Sequence, residues 1–205
     1  MSPVFISLEG SEGAGKSTLM RVINRWLEER GDTVVSCREP GGTATGEAIR
    51  ELLLDRNSGG LLPLTELLLM FASRAQLLEQ TIKPALAAGS SVLCDRFVDA
   101  SYAYQGGGRQ YSHNQISQLE QLVVAETMPD LTILLDVPVD IGLRRARKTG
   151  EPDRFESEQR AFFERVRKAY LERARQHPER IVVVDASARQ PAVRKQVLAI
   201  LEQRL

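Results

Sequence analysis

The sequence predicts an α/β fold in which helices cover both faces of a parallel sheet. Two observations predict it: short apolar runs recur along the chain without polar alternation, and segments with helical spacing separate them. The apolar runs lie at 4–8, 33–37, 91–95, 131–136 and 181–185. Strands that are apolar at every position are buried on both faces, as in a parallel sheet. We therefore expect a doubly wound, five-stranded sheet with ligands at the carboxyl ends of its strands.

Apolar residues at helical spacing predict the elements between the strands. Helices are predicted at 16–30, 45–55, 64–88 and 113–126. Gly31 is a stop signal for the first helix, Pro84 is expected to break the third, and Ser112 is expected to cap the fourth. Basic and acidic residues interleave at 162–176, which is typical of a solvated helix face.

Composition limits the function classes. The 205 residues are enough for one domain with a sizeable core, and 27 basic residues balance 27 acidic ones. Such a balance argues against a nucleic-acid or anionic-membrane partner. Cys37 and Cys94 are interpreted as free thiols of a reducing compartment. Since no apolar run approaches the roughly 18 residues of a membrane span, and no signal peptide precedes the first strand, we expect a cytoplasmic protein.

A phosphate-binding loop follows the first predicted strand. The sequence "GSEGAGKS" at 10–17 fits G-x-x-x-x-G-K-[ST] and opens a predicted helix. Glycines let backbone N–H groups surround phosphate oxygens, Lys16 reaches the β and γ phosphates, and the Ser17 hydroxyl holds Mg²⁺. The residues expected to bind the phosphoryl donor are Gly10, Ser11, Glu12, Gly13, Ala14, Gly15, Lys16, Ser17 and Thr18.

Two aspartates at strand ends are candidates for the rest of the metal site. Asp95 follows "SVLC" and Asp136 follows "LTILL". Asp95 is favoured because Arg96 comes directly after it, and an Asp-Arg pair can serve Mg²⁺ and a second phosphate together.

The phosphate loop alone does not separate a small-molecule kinase from an ATPase or GTPase switch. The guanine-reading Asn-Lys-x-Asp is absent from the chain, which disfavours a GTPase. Further cationic and aromatic residues follow the second and third strands or lie in the third helix, where they can line a second pocket beside the donor phosphates. Their segments are "REPGGT" at 38–43, "MFASR" at 70–74 and "DRFVDASYAYQGGGR" at 95–109.

At these segments the chain resembles the thymidylate kinases over almost its whole length. Seven motifs match in order: "SLEGSEGAGKST", "REPGGT", "GEAIRELLLD", "FASR" with "IKPAL", "DRFVDASYAYQGGGR", "PDLTILLDV" and "DRFE". The resemblance implies a P-loop nucleoside monophosphate kinase-like fold, with residues 1–205 as one domain and a lid at about 144–156. It also implies transfer of the γ-phosphoryl of ATP, with Mg²⁺, to dTMP, and a homodimer without nucleic-acid or membrane partners.

The resemblance also implies roles for residues around the acceptor phosphate and sugar. Arg96 resembles the arginine that clamps the dTMP phosphate, with Arg50 as a second contributor; a guanidinium fork suits this task. Glu9 matches the acid near the acceptor sugar and phosphate. Glu39 and Pro40 match the loop that lines the pocket.

A second group of residues matches the base site. Arg74 resembles the donor to the thymine carbonyl, and Ser101 with Gln105 resembles the polar pair near the ring. Tyr104 resembles the tyrosine that crowds the 2′ position and favours a deoxyribose. Helical spacing after Asp95 supports this grouping.

One departure affects the ring that stacks on thymine. Family members usually place a Phe four residues before the arginine that here is Arg74, and that place holds Met70, while Phe71 lies three before it. Both positions share a helix face with Arg74, so spacing leaves them open. We favour Phe71, because a flat ring stacks on a base better than a thioether does.

The catalytic cation is expected in the lid. One branch of the thymidylate kinases carries a basic residue in the phosphate loop. This chain has no basic residue at those places, and Glu12 occupies one of them. "RRARKTGEPDRFE" at 144–156 resembles the basic lid of the bacterial type. Arg147 is the first candidate, and Arg145, Lys148 and Arg154 are the alternatives; the place before the lid glycine, often Arg in relatives, holds Thr149. Phosphoryl transfer needs such charge neutralisation more than a strong base.

Two other functions stay open at this point. One is a kinase for another deoxynucleoside monophosphate. The other is a P-loop ATPase switch, in which the apolar and Tyr-rich "FVDASYAYQ" would contact a protein partner instead of a nucleoside.

Overall fold

Five parallel strands form the central sheet of the computed structural model, which describes residues 2–55, 60–147, 153–156 and 158–205. The strands are β1 (Phe5–Glu9), β2 (Val34–Arg38), β3 (Ser91–Asp95), β4 (Leu131–Asp136) and β5 (Ile181–Asp185). Their order across the sheet is β2-β3-β1-β4-β5, with every pairing parallel. The predicted α/β class and all five predicted strands are confirmed.

Helices connect the strands. They are α1 (Lys16–Glu29), α2 (Ala44–Leu54), α3 (Pro63–Leu77), α4 (Lys83–Ala87), α5 (Val98–Ser101), α6 (His113–Val123), α7 (Val139–Ala146), α8 (Arg160–Gln176) and α9 (Gln190–Arg204). The segments Leu78–Ile82 and Tyr102–Gly108 are π-helical. Such wider turns occur mostly inside helices and frequently at functional sites.

Two predicted features of the helices differ from the structure, a break at Pro84 and a side-chain cap at Ser112. The chain does not break at Pro84, because this proline lies in the first turn of α4, directly after the π-helical segment, where it is tolerated. Ser112 does occupy the N-cap position of α6, but its side chain makes no capping hydrogen bond.

Both faces of the sheet are buried, as continuous apolar strands require. Ile6 and Leu8 of β1 belong to an apolar cluster with Leu19 and Ile23 of α1. Phe5 points to the opposite face, where its ring meets that of Phe97 edge-on with centroids 5.0 Å apart. The sheet therefore provides a rigid support for the loops at its carboxyl edge.

Three of those loops meet at this edge. β1 leads into the phosphate loop, β2 into a cis Glu39–Pro40 peptide, and β3 into Arg96. Arg96 has a φ of 69°, in the left-handed region that non-glycine residues rarely adopt. Its N–H donates to the Leu8 carbonyl at 3.0 Å, which ties this conformation to the neighbouring strand.

The two cysteines face each other across β2 and β3, Cys37 beside Cys94, and both thiols are free, as predicted. Within the described ranges, no helix is both long enough and apolar enough to traverse a bilayer.

Candidate active site

The phosphate loop turns sharply between β1 and α1. Gly13 has a φ of 70°, and a Cβ on it would lie 2.1 Å from the Gly142 carbonyl oxygen of α7. Only glycine satisfies both the left-handed backbone and this close approach. The loop therefore lies directly against α7, and α1 begins at Lys16 with its N-terminus at the loop.

Lys16 lies over the phosphate loop. Its Nζ donates to the carbonyl oxygen of Gly10 at 2.9 Å and to that of Ser11 at 3.4 Å. Burial and, next, repulsion from Arg96 lower the pKa of Lys16 to about 8. A phosphate at this place would favour the charged form of the ammonium group.

A cavity in front of the loop collects charged side chains from all three carboxyl-edge loops and from α7. Its charged lining residues are Glu12, Lys16, Arg38, Glu39, Arg50, Asp95, Arg96, Arg145, Asp153 and Glu156, and Gly13, Ala14, Gly15, Ser17 and Thr18 also line it. We call it the phosphate cavity. It contains the predicted donor-binding residues from 12 to 18 and both predicted acceptor-phosphate arginines.

Glu12 connects the phosphate loop to the loop after β3. Its Oε1 accepts from Arg96 Nη2 at 2.8 Å, and its two oxygens accept from the Tyr104 hydroxyl at 2.7 and 2.8 Å. Burial opposes ionisation of Glu12, yet Arg96 and Lys16 outweigh it and hold its pKa below the ordinary value. The Arg96 guanidinium also lies over the Tyr104 ring, 4.9 Å from its centroid.

Glu9, at the end of β1, is fully buried beside this group. Its carboxylate accepts from the Phe97 N–H and from the Tyr170 hydroxyl, each at 2.7 Å. Burial, and next the charge of Asp99, raise the pKa of Glu9 to about 8, because the two hydrogen bonds do not compensate for the lost water. A carboxyl group that titrates near neutrality thus lies behind Arg96.

Arg74 of α3 is completely buried. Its Nε and Nη2 donate to both carboxylate oxygens of Glu39, at 2.6 to 3.1 Å, and Nη2 also reaches the Ser101 hydroxyl at 3.1 Å. The Phe71 ring lies 4.5 Å from the guanidinium carbon. Predicted residues from three separate segments are therefore in direct contact.

A second, smaller cavity opens beside Arg96, and we call it the nucleoside cavity. Its lining residues are Glu12, Pro40, Arg50, Leu54, Met70, Arg96, Ala100, Tyr104, Gln105, Asp153 and Phe155. Met70 lies in its wall, whereas Phe71, favoured above as the stacking ring, packs on Arg74 within an apolar cluster. The structure thus places Met70, the alternative, at the cavity.

The residues expected to hold Mg²⁺ fit that role. Ser17 and Asp95 line the same cavity, and Asp95 Oδ1 is buried without a hydrogen-bond partner among the described residues. Mg²⁺ is commonly bound through one or two carboxylates plus substrate phosphates, so one free carboxylate oxygen suits it. Asp136, the less favoured candidate, is not free: Arg167 donates to both of its oxygens, at 2.7 and 2.8 Å.

A third cavity lies on the other side of the phosphate loop, between α1 and the loop after β5, and sequence reasoning missed it. Its lining residues include Gly15, Thr18, Val22, Ala186, Pro191 and Arg194. Arg145 lines both this cavity and the phosphate cavity, and its Nη1 donates to the Ala186 carbonyl at 2.8 Å. The available signal was "ASARQP", which follows the fifth strand at the ligand-binding edge.

The lid candidates differ in their contacts. Arg147 is exposed and makes no side-chain hydrogen bond or ion pair with the described residues. Arg154 instead donates to the Leu53 carbonyl at 2.6 Å and pairs with Glu66 at 2.7 Å. Lys148 and Thr149 lie outside the described residues.

The prediction for 162–176 was incomplete. In α8 the residues Phe162, Val166, Tyr170 and Ala174 are buried, and Tyr170 reaches Glu9. Their i, i+4 spacing was the available signal, but the high charge of the helix concealed it.

The family and relatives of the chain agree with this geometry. A model of the thymidylate kinase family matches residues 8–197. The thymidylate kinase of Ectopseudomonas mendocina (strain ymp) is 55% identical over 201 residues, covering 98% of this chain and 96% of that protein. That of Alcanivorax borkumensis is 53% identical over 203 residues, covering 99% and 98%. The crystal structure of thymidylate kinase from Ehrlichia chaffeensis superposes with a TM-score of 0.81 at 32% identity, covering 98% and 100%. The chain therefore belongs to the thymidylate kinases, the phosphotransferases that convert dTMP to dTDP.

Proposed function

We propose that this chain transfers the γ-phosphoryl of ATP to dTMP, giving dTDP and ADP. The observation that carries the proposal is the row of three adjoining cavities at the carboxyl edge of the sheet. The phosphate cavity shares Gly13, Gly15 and Arg145 with the third cavity, and it shares Glu12, Arg50 and Arg96 with the nucleoside cavity. Two nucleotides can therefore lie end to end with their phosphates together.

The donor occupies the phosphate loop and the third cavity in this proposal. Backbone N–H groups of residues 10–18 and the N-terminus of α1 bind its phosphates, and Lys16 exchanges its loop carbonyls for phosphate oxygens. The apolar side chains between α1 and the loop after β5 accept the donor base. Ser17 and Asp95 would hold Mg²⁺, which would neutralise negative charge on the donor phosphates.

The acceptor phosphate lies beside Arg96 and Arg50, with Glu9 behind it. Arg50 already donates to the Pro40 carbonyl at 2.9 Å, which directs it along the cavity wall. Arg74, Ser101 and Gln105 provide the polar contacts to the base. Arg50, Arg96 and Gln105 line the nucleoside cavity, whereas Glu9, Arg74 and Ser101 are fully buried and line none of the three cavities. The individual roles stay predictions.

Chemistry in this arrangement depends on position and charge. A monophosphate oxygen is already anionic at neutral pH and attacks the γ-phosphorus in line, so no general base is required. Cations that approach the transferred group stabilise the charge spread over its oxygens. Lys16 and Arg96 provide two of them, and a lid arginine is proposed as the third.

A coupled assay of ADP release tests the activity. We expect turnover with dTMP and much poorer turnover with dAMP, dGMP or dCMP; dUMP, which lacks only a methyl group, should be about 10- to 200-fold less efficient. Equal or better rates with another monophosphate would overturn the dTMP assignment. Hydrolysis of ATP without an acceptor would instead indicate a P-loop switch.

Two lysine variants show whether the activity belongs to this site. Lys16→Ala should lower turnover on the order of 10²-fold or more, because one preorganised cation at the phosphates is lost. Lys195→Ala, which changes an exposed lysine of α9, is the matched control.

A further inference from the structure

The side-chain amide of Gln105, beside the nucleoside cavity, has a hydrogen-bond partner at only one of its two ends among the described residues. The residue is fully buried in the π-helical segment and lines that cavity. Its Nε2 donates to Glu66 Oε1 at 2.9 Å, while its Oε1 is buried without a hydrogen-bond partner among the described residues. A buried acceptor without a partner carries a desolvation cost that a ligand can remove.

Glu66 determines which end of the amide points away from it. It is fully buried in α3. Its carboxylate accepts hydrogen bonds from Arg109 Nε at 3.1 and 3.2 Å and forms an ion pair with Arg154 Nη1 at 2.7 Å. A carboxylate between two guanidinium groups accepts hydrogen bonds and donates none. The NH₂ group of Gln105 must therefore face Glu66, which leaves its oxygen for the cavity.

The base that matches this oxygen has a ring N–H. Thymine carries a donor at N3 between two carbonyl acceptors, whereas cytosine carries an acceptor at N3 and an amino donor beside it. Gln105 Oε1 can receive the thymine N3–H but faces the lone pair of cytosine N3. Arg74 Nη1, a donor that is also buried without a partner among the described residues, is complementary to a carbonyl oxygen.

We infer that Glu66 is a positioning residue for base selection: it fixes the amide of Gln105 so that the nucleoside cavity accepts a pyrimidine with an N3–H and rejects cytosine. The inference rests on the proposed function and adds to it the residue that orients Gln105. Glu66 acts through Gln105 and does not touch the substrate.

Two substitutions at Glu66 separate orientation from packing. Glu66→Gln can donate as well as accept, so the Gln105 amide can flip, and the ratio of kcat/KM for dTMP to that for dCMP should fall by about 10- to 100-fold. Glu66→Asp keeps an acceptor-only group, so it should retain most of the wild-type ratio even where it lowers thermal stability. An E66Q ratio within about twofold of wild type, in a variant that unfolds cooperatively, would overturn the inference.

Arg154→Gln is the matched control, because it removes one ion pair of Glu66 and leaves the contact to Gln105. Its rate can change, but its dTMP to dCMP ratio should stay at the wild-type value; a fall equal to that of E66Q would assign the effect to the ion pairs and overturn the orientation argument. Wild-type turnover of dTMP in the same assay tests the proposed function separately.

If E66Q does not fold, the N3-methyl analogue of dTMP tests the wild-type protein. This analogue keeps both carbonyl groups but has no N3–H, and its kcat/KM should be at least about 10-fold below that of dTMP, because Gln105 Oε1 then receives no hydrogen bond from the base. Equal efficiency would show that the oxygen does not receive the base and would overturn the inference.

Discussion

Glu12 carries a negative charge inside a loop that binds phosphate, and its contacts explain why it is stable there. Its carboxylate accepts hydrogen bonds from Arg96 and Tyr104, the residues predicted to contact the acceptor phosphate and sugar. The carboxylate thus positions a guanidinium that would otherwise have more conformational freedom. Because the loop has a glutamate at this place, we predict that the additional cation for transfer comes from another segment.

Glu9 is expected to make stability dependent on pH. Its pKa is raised from 4.5 to about 8 on folding, so the protonated form is favoured in the folded state. Its contribution is fully present below about pH 4.5 and is lost as pH rises through about 8. Glu9→Gln removes this titration, so between pH 6 and 8 the wild type should lose about 2 kcal/mol of unfolding free energy relative to the variant, measured by urea denaturation.

Glu126→Gln, at an exposed glutamate, is the control and should follow the wild-type profile. Parallel pH profiles for wild type and E9Q would mean that Glu9 stays ionised when buried.

Arg147 is the residue on which the lid hypothesis depends. It is exposed and carries no side-chain partner among the described residues. Arg147→Ala should lower kcat on the order of 10³-fold while the KM for dTMP changes little, since a finger-like cation acts on the transition state. Steady-state kinetics of R147A beside Arg25→Ala, at an exposed arginine of α1, measures this. If R147A turns over at the wild-type rate, the catalytic cation would be assigned to Arg145 or Lys148 instead.

At the scale of secondary-structure elements, the phosphate loop and α7 pack closely against each other. Besides the close approach of Gly13, a Cβ on Gly142 would lie 2.6 Å from the Glu12 carbonyl oxygen. Two segments distant in sequence thus touch through backbone alone. The phosphate loop therefore fixes the position of the helix that carries Arg145.

Gly13→Ala and Gly15→Ala test this contact as a matched pair. Both glycines have positive φ, at 70° and 96°, but a Cβ on Gly15 meets nothing within 4 Å. Gly15→Ala should cost about 1 to 2 kcal/mol of backbone strain. Gly13→Ala should cost about 2 to 5 kcal/mol, because overpacking against backbone is added. Urea unfolding compares them, and equal losses would mean that the contact with α7 is not tight.

Elements that depend on local pattern were predicted from the sequence, and those that depend on distant packing were not. The five strands and the phosphate loop follow from apolar runs and a fixed motif. The π-helical turns do not, because no local pattern distinguishes them from α-helix. The contact of Tyr170 with Glu9 joins residues 161 apart in the chain, so only the folded structure reveals it. For the same reason, the position of Met70 rather than Phe71 at the cavity was not decided by spacing.

At the scale of the whole molecule, a single sheet contains all five strands of the described residues. One domain over 1–205 stays a prediction. The predicted homodimer has a candidate surface on three neighbouring helices, α2, α3 and α6. Their exposed leucines are Leu52, Leu64, Leu68 and Leu122. Exposed apolar residues gathered on neighbouring elements are typical of protein interfaces.

Leu68→Glu tests the dimer. If this surface pairs two copies, a buried charge should raise the dimer dissociation constant at least about 10-fold, as at a packed interface position. Sedimentation velocity across protein concentrations measures the change. Val183→Glu changes an exposed apolar residue of β5 and is the control, with no expected effect. A wild-type protein that sediments as a monomer would contradict the prediction.

The phosphate cavity also bears on how nucleotides arrive. Its lining combines five cationic side chains with five carboxylates, so the described lining has no net formal charge. The chain as a whole is likewise neutral, with a formal net charge of +0. Long-range attraction of anionic nucleotides is therefore weak, and capture depends on hydrogen bonds and ion pairs formed at contact. Added salt should slow the encounter of the protein with its nucleotides far less than it slows encounters steered by a charged surface.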